Sequence, residues 1–99
     1  MLWAGIHKEA EVLFITEHGK TVDLTGEGIP SFEDVQQQVG GFVVVVELPA
    51  GYRGHHWMMI DEDGLLRQRP VNRTASAIAQ EVIAGPALLA TSAERRKIL

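Results

Sequence analysis

Along the chain the apolar positions change period several times, and each change predicts an element. Residues 12–16 (Val-Leu-Phe-Ile-Thr) form a short β-branched and aromatic run. Turn residues follow at 17–20 and a second short run at 21–24, which together read as a hairpin. An earlier run at 2–7 is a further candidate strand. Two glycines and a proline at 25–30 break either period and mark a loop. Ser31 with Asp34 three residues on has the form of a capping box, and Phe32, Val35 and Val39 fall at i, i+3 and i+7, so a helix over 31–39 is expected. Gly40 or Gly41 should stop it in the left-handed conformation.

The run at 42–46 is apolar at successive positions, which predicts a central strand over 42–48 covered by helix, its core shared by Val39, Phe42, Val44 and Val46. Turn residues at 49–54 lead to a second strand at 55–60. Asp63-Gly64 then fits a two-residue hairpin turn into a third strand at 65–69. Pro70 ends that strand, and Asn72 or Thr74 caps a helix over 73–83 whose Ala75, Ile78, Ala79 and Val82 make a narrow stripe. A short strand at 87–90 and a last helix opened by Thr91 and Glu94 complete the chain. The expected fold class is α+β: one domain over 1–99, with a mainly antiparallel sheet of five to six strands, two helices on one face and a short C-terminal helix.

Composition changes this picture little. Ninety-nine residues with 45% hydrophobic content support one modest core. No apolar run approaches the roughly 18 residues that cross a bilayer, and acidic residues stand where a signal peptide would be apolar, so a cytoplasmic location without membrane contact is expected. The absence of cysteine excludes disulfides, thiolate metal sites and cysteine nucleophiles. A net charge of −4 argues against broad attraction to nucleic acid, although Arg67, Arg69 and Arg73 concentrate positive charge locally.

Several of these parts carry a resemblance. Val39-Gly40-Gly41 at a helix end, the strand 42–46, the turn 60–64, Pro70-Val71-Asn72 with Ala75-Ser76 opening a helix, and Gly85 ahead of Leu88-Leu89 resemble a family of small proteins. Bacteriophages, plasmids and integrated elements largely encode that family, which is classed as a domain of unknown function. The resemblance covers about residues 31–90. Val44, Arg69 and Ser76 depart from it, standing where the family often has Glu, an apolar residue and Thr. It implies an origin on a mobile genetic element and no reaction.

Among the titratable residues, His55 and His56 are adjacent, and neighbours on a strand point to opposite faces, so they do not share a metal. Asp61, Glu62 and Asp63 ahead of Gly64 read as a solvated hairpin tip. Gly26-x-Gly28 and Gly40-Gly41 precede no Lys-Ser/Thr and give no phosphate cradle. No metal, cofactor or catalytic residue is assigned.

The functional candidate is Arg67 and Arg69 on one face of an extended strand, followed by Asn72, Arg73 and Thr74 at a helix N-terminus, a combination suited to an anion. The structural alternative ties the arginines to Glu47, Asp61 or Glu62. Tyr52 and Trp57 would supply a stacking wall. These residues suggest a non-catalytic module that sequesters a small anionic, nucleotide-like ligand or blocks a host protein, and that forms a homodimer. The rivals are a nucleic-acid-mimicking or DNA-associated regulatory or antirestriction protein, whose acids would have to be arrayed rather than dispersed, and thirdly a hydrolase.

Overall fold

The computed structural model describes residues 12–24 and 29–98. The candidate strand at 2–7 and part of the loop at 25–30 lie outside the described residues. The elements in chain order are β1 (Leu13–Ile15), β2 (Thr21–Asp23), α1 (Phe32–Val39), β3 (Val43–Tyr52), β4 (His55–Asp61), α2 (Arg73–Ala79), β5 (Ala87–Ala90) and α3 (Ser92–Ile98). The five strands make one antiparallel sheet in the order β2-β1-β5-β4-β3. The α+β class is therefore as expected.

Local chemistry sets the helix ends. Ser31 accepts a hydrogen bond from the Asp34 N–H while Asp34 accepts from the Ser31 N–H, so two otherwise unpaired donors are satisfied reciprocally. Gly40 closes α1 at φ 89°, a conformation that a Cβ would strain. Thr91 and Glu94 form the same reciprocal box ahead of α3. Asn72 rather than Thr74 caps α2, accepting from the Ala75 N–H.

Side-chain alternation divides the core into two layers. Leu13, Ile15, Met58, Ala87 and Leu89 point to one face, where Ala75, Ala79 and Ile83 cover them. Val12, Met59, Leu88 and Ala90 point to the other, against Val35 and Val39 of α1 and Ile98 of α3. The helices thus lie on both faces of the sheet, which corrects the expectation that α1 and α2 share one. The cause is β5: all four of its residues are buried, so both faces there require cover.

Three further expectations change with the topology. The strand at 42–48 is at the edge, not the centre: β5 returns from far along the chain to occupy the inner side of β4, leaving β3 outside. Phe42 and Val44 are accordingly exposed, and only Val39 and the half-buried Val46 join a core, on opposite faces. The third meander strand at 65–69 does not form. Residues 62–68 are turns held by Arg67 N–H to Asp63 O (2.8 Å) and Arg69 N–H to Gly64 O (3.0 Å), with Leu65 and Leu66 exposed. Finally, α2 stops at Ala79, because Gln80 turns left-handed at φ 61° and Ser76 Oγ accepts the Ile83 N–H at 2.8 Å. Val82, counted in the apolar stripe, is exposed.

Candidate functional site

Asp61, the last residue of β4, organises the region that the sequence singles out. Its side chain is fully buried. Oδ2 accepts from Arg67 Nη1 at 2.9 Å and Arg69 Nη1 at 3.0 Å, and Oδ1 accepts from the Asp63 N–H at 2.9 Å. The same two guanidinium nitrogens donate onward to the end of α1: Arg67 Nη1 to Gly40 O (3.0 Å) and Arg69 Nη1 to Val39 O (2.6 Å). Arg69 Nη2 also lies 3.7 Å from Glu17 Oε1. A helix C-terminus carries unpaired carbonyls and partial negative charge, which two guanidinium groups satisfy together. The cluster therefore ties α1 to the end of the β4 strand.

Geometry also explains the glycine pair. A Cβ on Gly41 would stand 2.5 Å from Arg67 Nη1 and 2.7 Å from Asp61 Oδ1, so the backbone passes where no side chain fits. Gly41→Ala is expected to lower stability by about 1–3 kcal/mol by overpacking, read as a lower denaturation midpoint with an unchanged m-value.

Asn72 is completely buried and serves three elements. Besides capping α2, its Nδ2 donates to Thr16 O and Gly85 O, each at 2.9 Å, and approaches Ile15 O at 3.5 Å. Thr74 Oγ1 donates to Gly19 O (2.9 Å) across the same junction, and Arg73 is exposed at the start of α2.

The proposed aromatic wall stands elsewhere. Tyr52 is at the opposite end of the β3–β4 hairpin, where its carbonyl accepts from His55 Nδ1 at 3.1 Å. At about 3.3 Å per residue, the six steps of β4 put that end about 20 Å from Asp61. Trp57 donates to Ser92 Oγ at 3.1 Å and lies under the Arg95 guanidinium, 4.5 Å from its ring centroid, so it holds α3 to the sheet. Of the seven candidate residues, the structure brings Arg67 and Arg69 together on Asp61. It places Asn72 and Thr74 on the β1–β2 junction and Tyr52 and Trp57 at separate points on β3 and β4. His55 is buried and His56 exposed.

Beside the arginine cluster lies an open groove of about 650 Å³. Glu33, Gln36 and Gln37 of α1, Gly41 and Phe42 just after it, and Asp63 and Arg67 of the 62–68 turns line it. Phe42 is 69% exposed there, and half of the Arg67 side chain is open to solvent. Nothing in the sequence marked the groove, because Phe42 heads a run of valines and reads as core. Among the described residues no group of three or more His, Asp or Glu is placed to hold a metal, and no helix is long and apolar enough to cross a membrane.

This arrangement defines a small α+β domain in which Arg67 and Arg69 meet at the end of α1. Residues 10–98 match the family described as Domain of unknown function (DUF3846). The match takes in nearly the whole chain, which therefore belongs to that family. No curated protein and no solved structure matches it.

Proposed function

We propose that the domain is a non-catalytic binding module of a mobile genetic element, acting in the cytoplasm of a bacterial host, and that it docks on a host protein and blocks it. The observation that carries this reading is Phe42, an aromatic ring left exposed in a groove rather than packed in the core. The ring suits an apolar anchor, and Glu33 and Asp63 among the lining residues suit a neighbouring lysine or arginine of the partner. Among the described residues that line the groove, no nucleophile stands beside a base. The mobile-element origin rests on the resemblance at residues 31–90.

The anion-sequestering form of the same reading has less support. Arg67 and Arg69 already face Asp61 and two helix-end carbonyls, so their charge is largely compensated within the fold. The N-terminus of α2 is likewise occupied by its own Asn72.

A photo-reactive phenylalanine analogue at position 42, with the same group at the exposed position 82 as control, tests the proposal in host cells. One protein should cross-link from 42 and not from 82, and Phe42→Ala and Glu33→Lys should each abolish its recovery on the untagged groove. Equal labelling from both positions, or none, overturns the assignment. Phe42→Ala itself should leave the melting temperature nearly unchanged, since an exposed side chain contributes within about 0.5 kcal/mol.

A further inference from the structure

We propose that β3 pairs antiparallel with β3 of a second copy of this chain, about a two-fold axis at Val45, so that two five-stranded sheets become one. This goes beyond the groove reading and does not rest on it.

The hydrogen-bond register shows which groups are available. Glu62 N–H donates to Phe42 O at 2.8 Å, and β3 pairs with β4 as Val43↔Asp61, Val44↔Ile60, Val45↔Met59, Val46↔Met58 and Glu47↔Trp57. Bonded and non-bonded pairs alternate in an antiparallel ladder. Val44 and Val46 therefore bond β4, whereas Val43, Val45 and Glu47 direct their N–H and C=O groups away from it, toward the open edge. Among the described residues no strand occupies that edge.

Natural sheets guard such edges with prolines, bulges, lysines or short strands. Here the guards begin late. Pro49 and the register irregularity between Glu47 and Tyr52 protect the far half of β3, while the stretch from Val43 to Glu47 carries four valines and one charge. Val44 is 36% exposed, and Val43, Val45 and Val46 are only half-buried.

Self-complementarity selects a second copy as the occupant. The outward groups at 43, 45 and 47 are symmetric about Val45, and an axis there makes about six main-chain hydrogen bonds from three bonded pairs. Val45 then faces its own copy on the α1 side, Val44 faces Val46 of the copy on the α2 side, and Glu47 faces Val43. β-Branched pairs of this kind stabilise a ladder. Moving the axis to Glu47 would set two carboxylates opposite each other and bring in Pro49, which has no N–H. Pairing β3 with β2 of another copy would use a strand of only three residues and would propagate head to tail instead of closing.

Light scattering combined with amide hydrogen exchange tests this on the full chain. A mass of about twice 10.9 kDa is expected at micromolar concentration, with the Val43, Val45 and Glu47 amides protected and their protection lost on dilution. The Val44 and Val46 amides, bonded to β4, stay protected throughout. Val45→Pro removes an outward N–H that β4 does not use, and Val45→Lys places a charge on the edge. Each should reduce the mass to that of the monomer while the circular dichroism spectrum is retained. A monomer at all accessible concentrations overturns the proposal, whether or not the three amides are protected. So does a dimer in which those amides exchange freely, and so does a dimer that survives in either folded variant. If both variants fail to fold, the wild-type exchange pattern decides alone.

Discussion

Replacing Asn72 with alanine is expected to be among the most damaging single changes in this domain, with a loss of about 3 kcal/mol or more. The cap on α2 accounts for about 1 kcal/mol. The remainder comes from two carbonyls: the buried Gly85 O and the half-buried Thr16 O each lose a 2.9 Å donor. Thr16 O retains the Gly19 N–H at 2.8 Å, so Gly85 O bears most of the deficit. At about 5 °C per kcal/mol for a domain of this size, the melting temperature should fall by roughly 15 °C. Asn72→Asp makes a sharper comparison, because it keeps the cap acceptor and turns the donor toward Thr16 and Gly85 into a second acceptor. It should be at least as harmful as alanine. A melt of either variant within a few degrees of wild type would mean that Asn72 does not join the three elements.

The second large effect is expected at Asp61. Asp61→Ala leaves two guanidinium groups facing two helix-end carbonyls without their common carboxylate, and removing one partner of a buried ion pair typically costs about 3–5 kcal/mol. The lower end applies here, since half of the Arg67 side chain is exposed and can turn to solvent, whereas Arg69 is only 20% exposed. Much of that loss should appear as detachment of α1 from the sheet. Amides in the last turn of α1 should therefore exchange faster than those of β4 and β5, where the ladder is intact. Uniform loss of protection across all elements would indicate instead that the cluster supports the whole fold equally.

Local chemistry made much of this fold legible. The Ser31–Asp34 and Thr91–Glu94 boxes are each set within a few residues and form as the sequence predicts, and the α1 stop and α2 cap fall on Gly40 and Asn72, each one of two positions the sequence offers. Positions of β1, β3, β4 and β5 follow from short apolar runs for the same reason. Long-range pairing was not legible. A run of four valines satisfies the pattern of a central strand and of an edge strand alike, and only the return of β5 to the inner side of β4 decides between them. The same return puts helices on both faces.

The candidate site was legible only in part, for a related reason. Asp61 belongs to an acidic triplet ahead of a glycine, the composition of a solvated turn, and becomes buried only because two arginines from the next turn and the end of α1 converge on it. Arg67 and Arg69 were legible as a pair, and their carboxylate partner was one of the structural alternatives. Their carbonyl partners, 27 and 30 residues away, were not. Phe42 carried no sign of exposure, since an aromatic beside valines matches a core position in every local respect.

On the function proposed above, the arginine pair serves the fold and the exposed groove beside it serves binding. Thermal denaturation of Arg69→Ala alongside Phe42→Ala tests this most directly. Loss of the bonds from Arg69 to Asp61 and Val39 O, with the buried carboxylate left underpaired, should destabilise by about 2 kcal/mol and lower the melting temperature by roughly 10 °C, while Phe42→Ala melts with wild type. An Arg69→Ala variant that melts with wild type and has lost binding to a nucleotide panel would contradict the account and make the arginines the binding site.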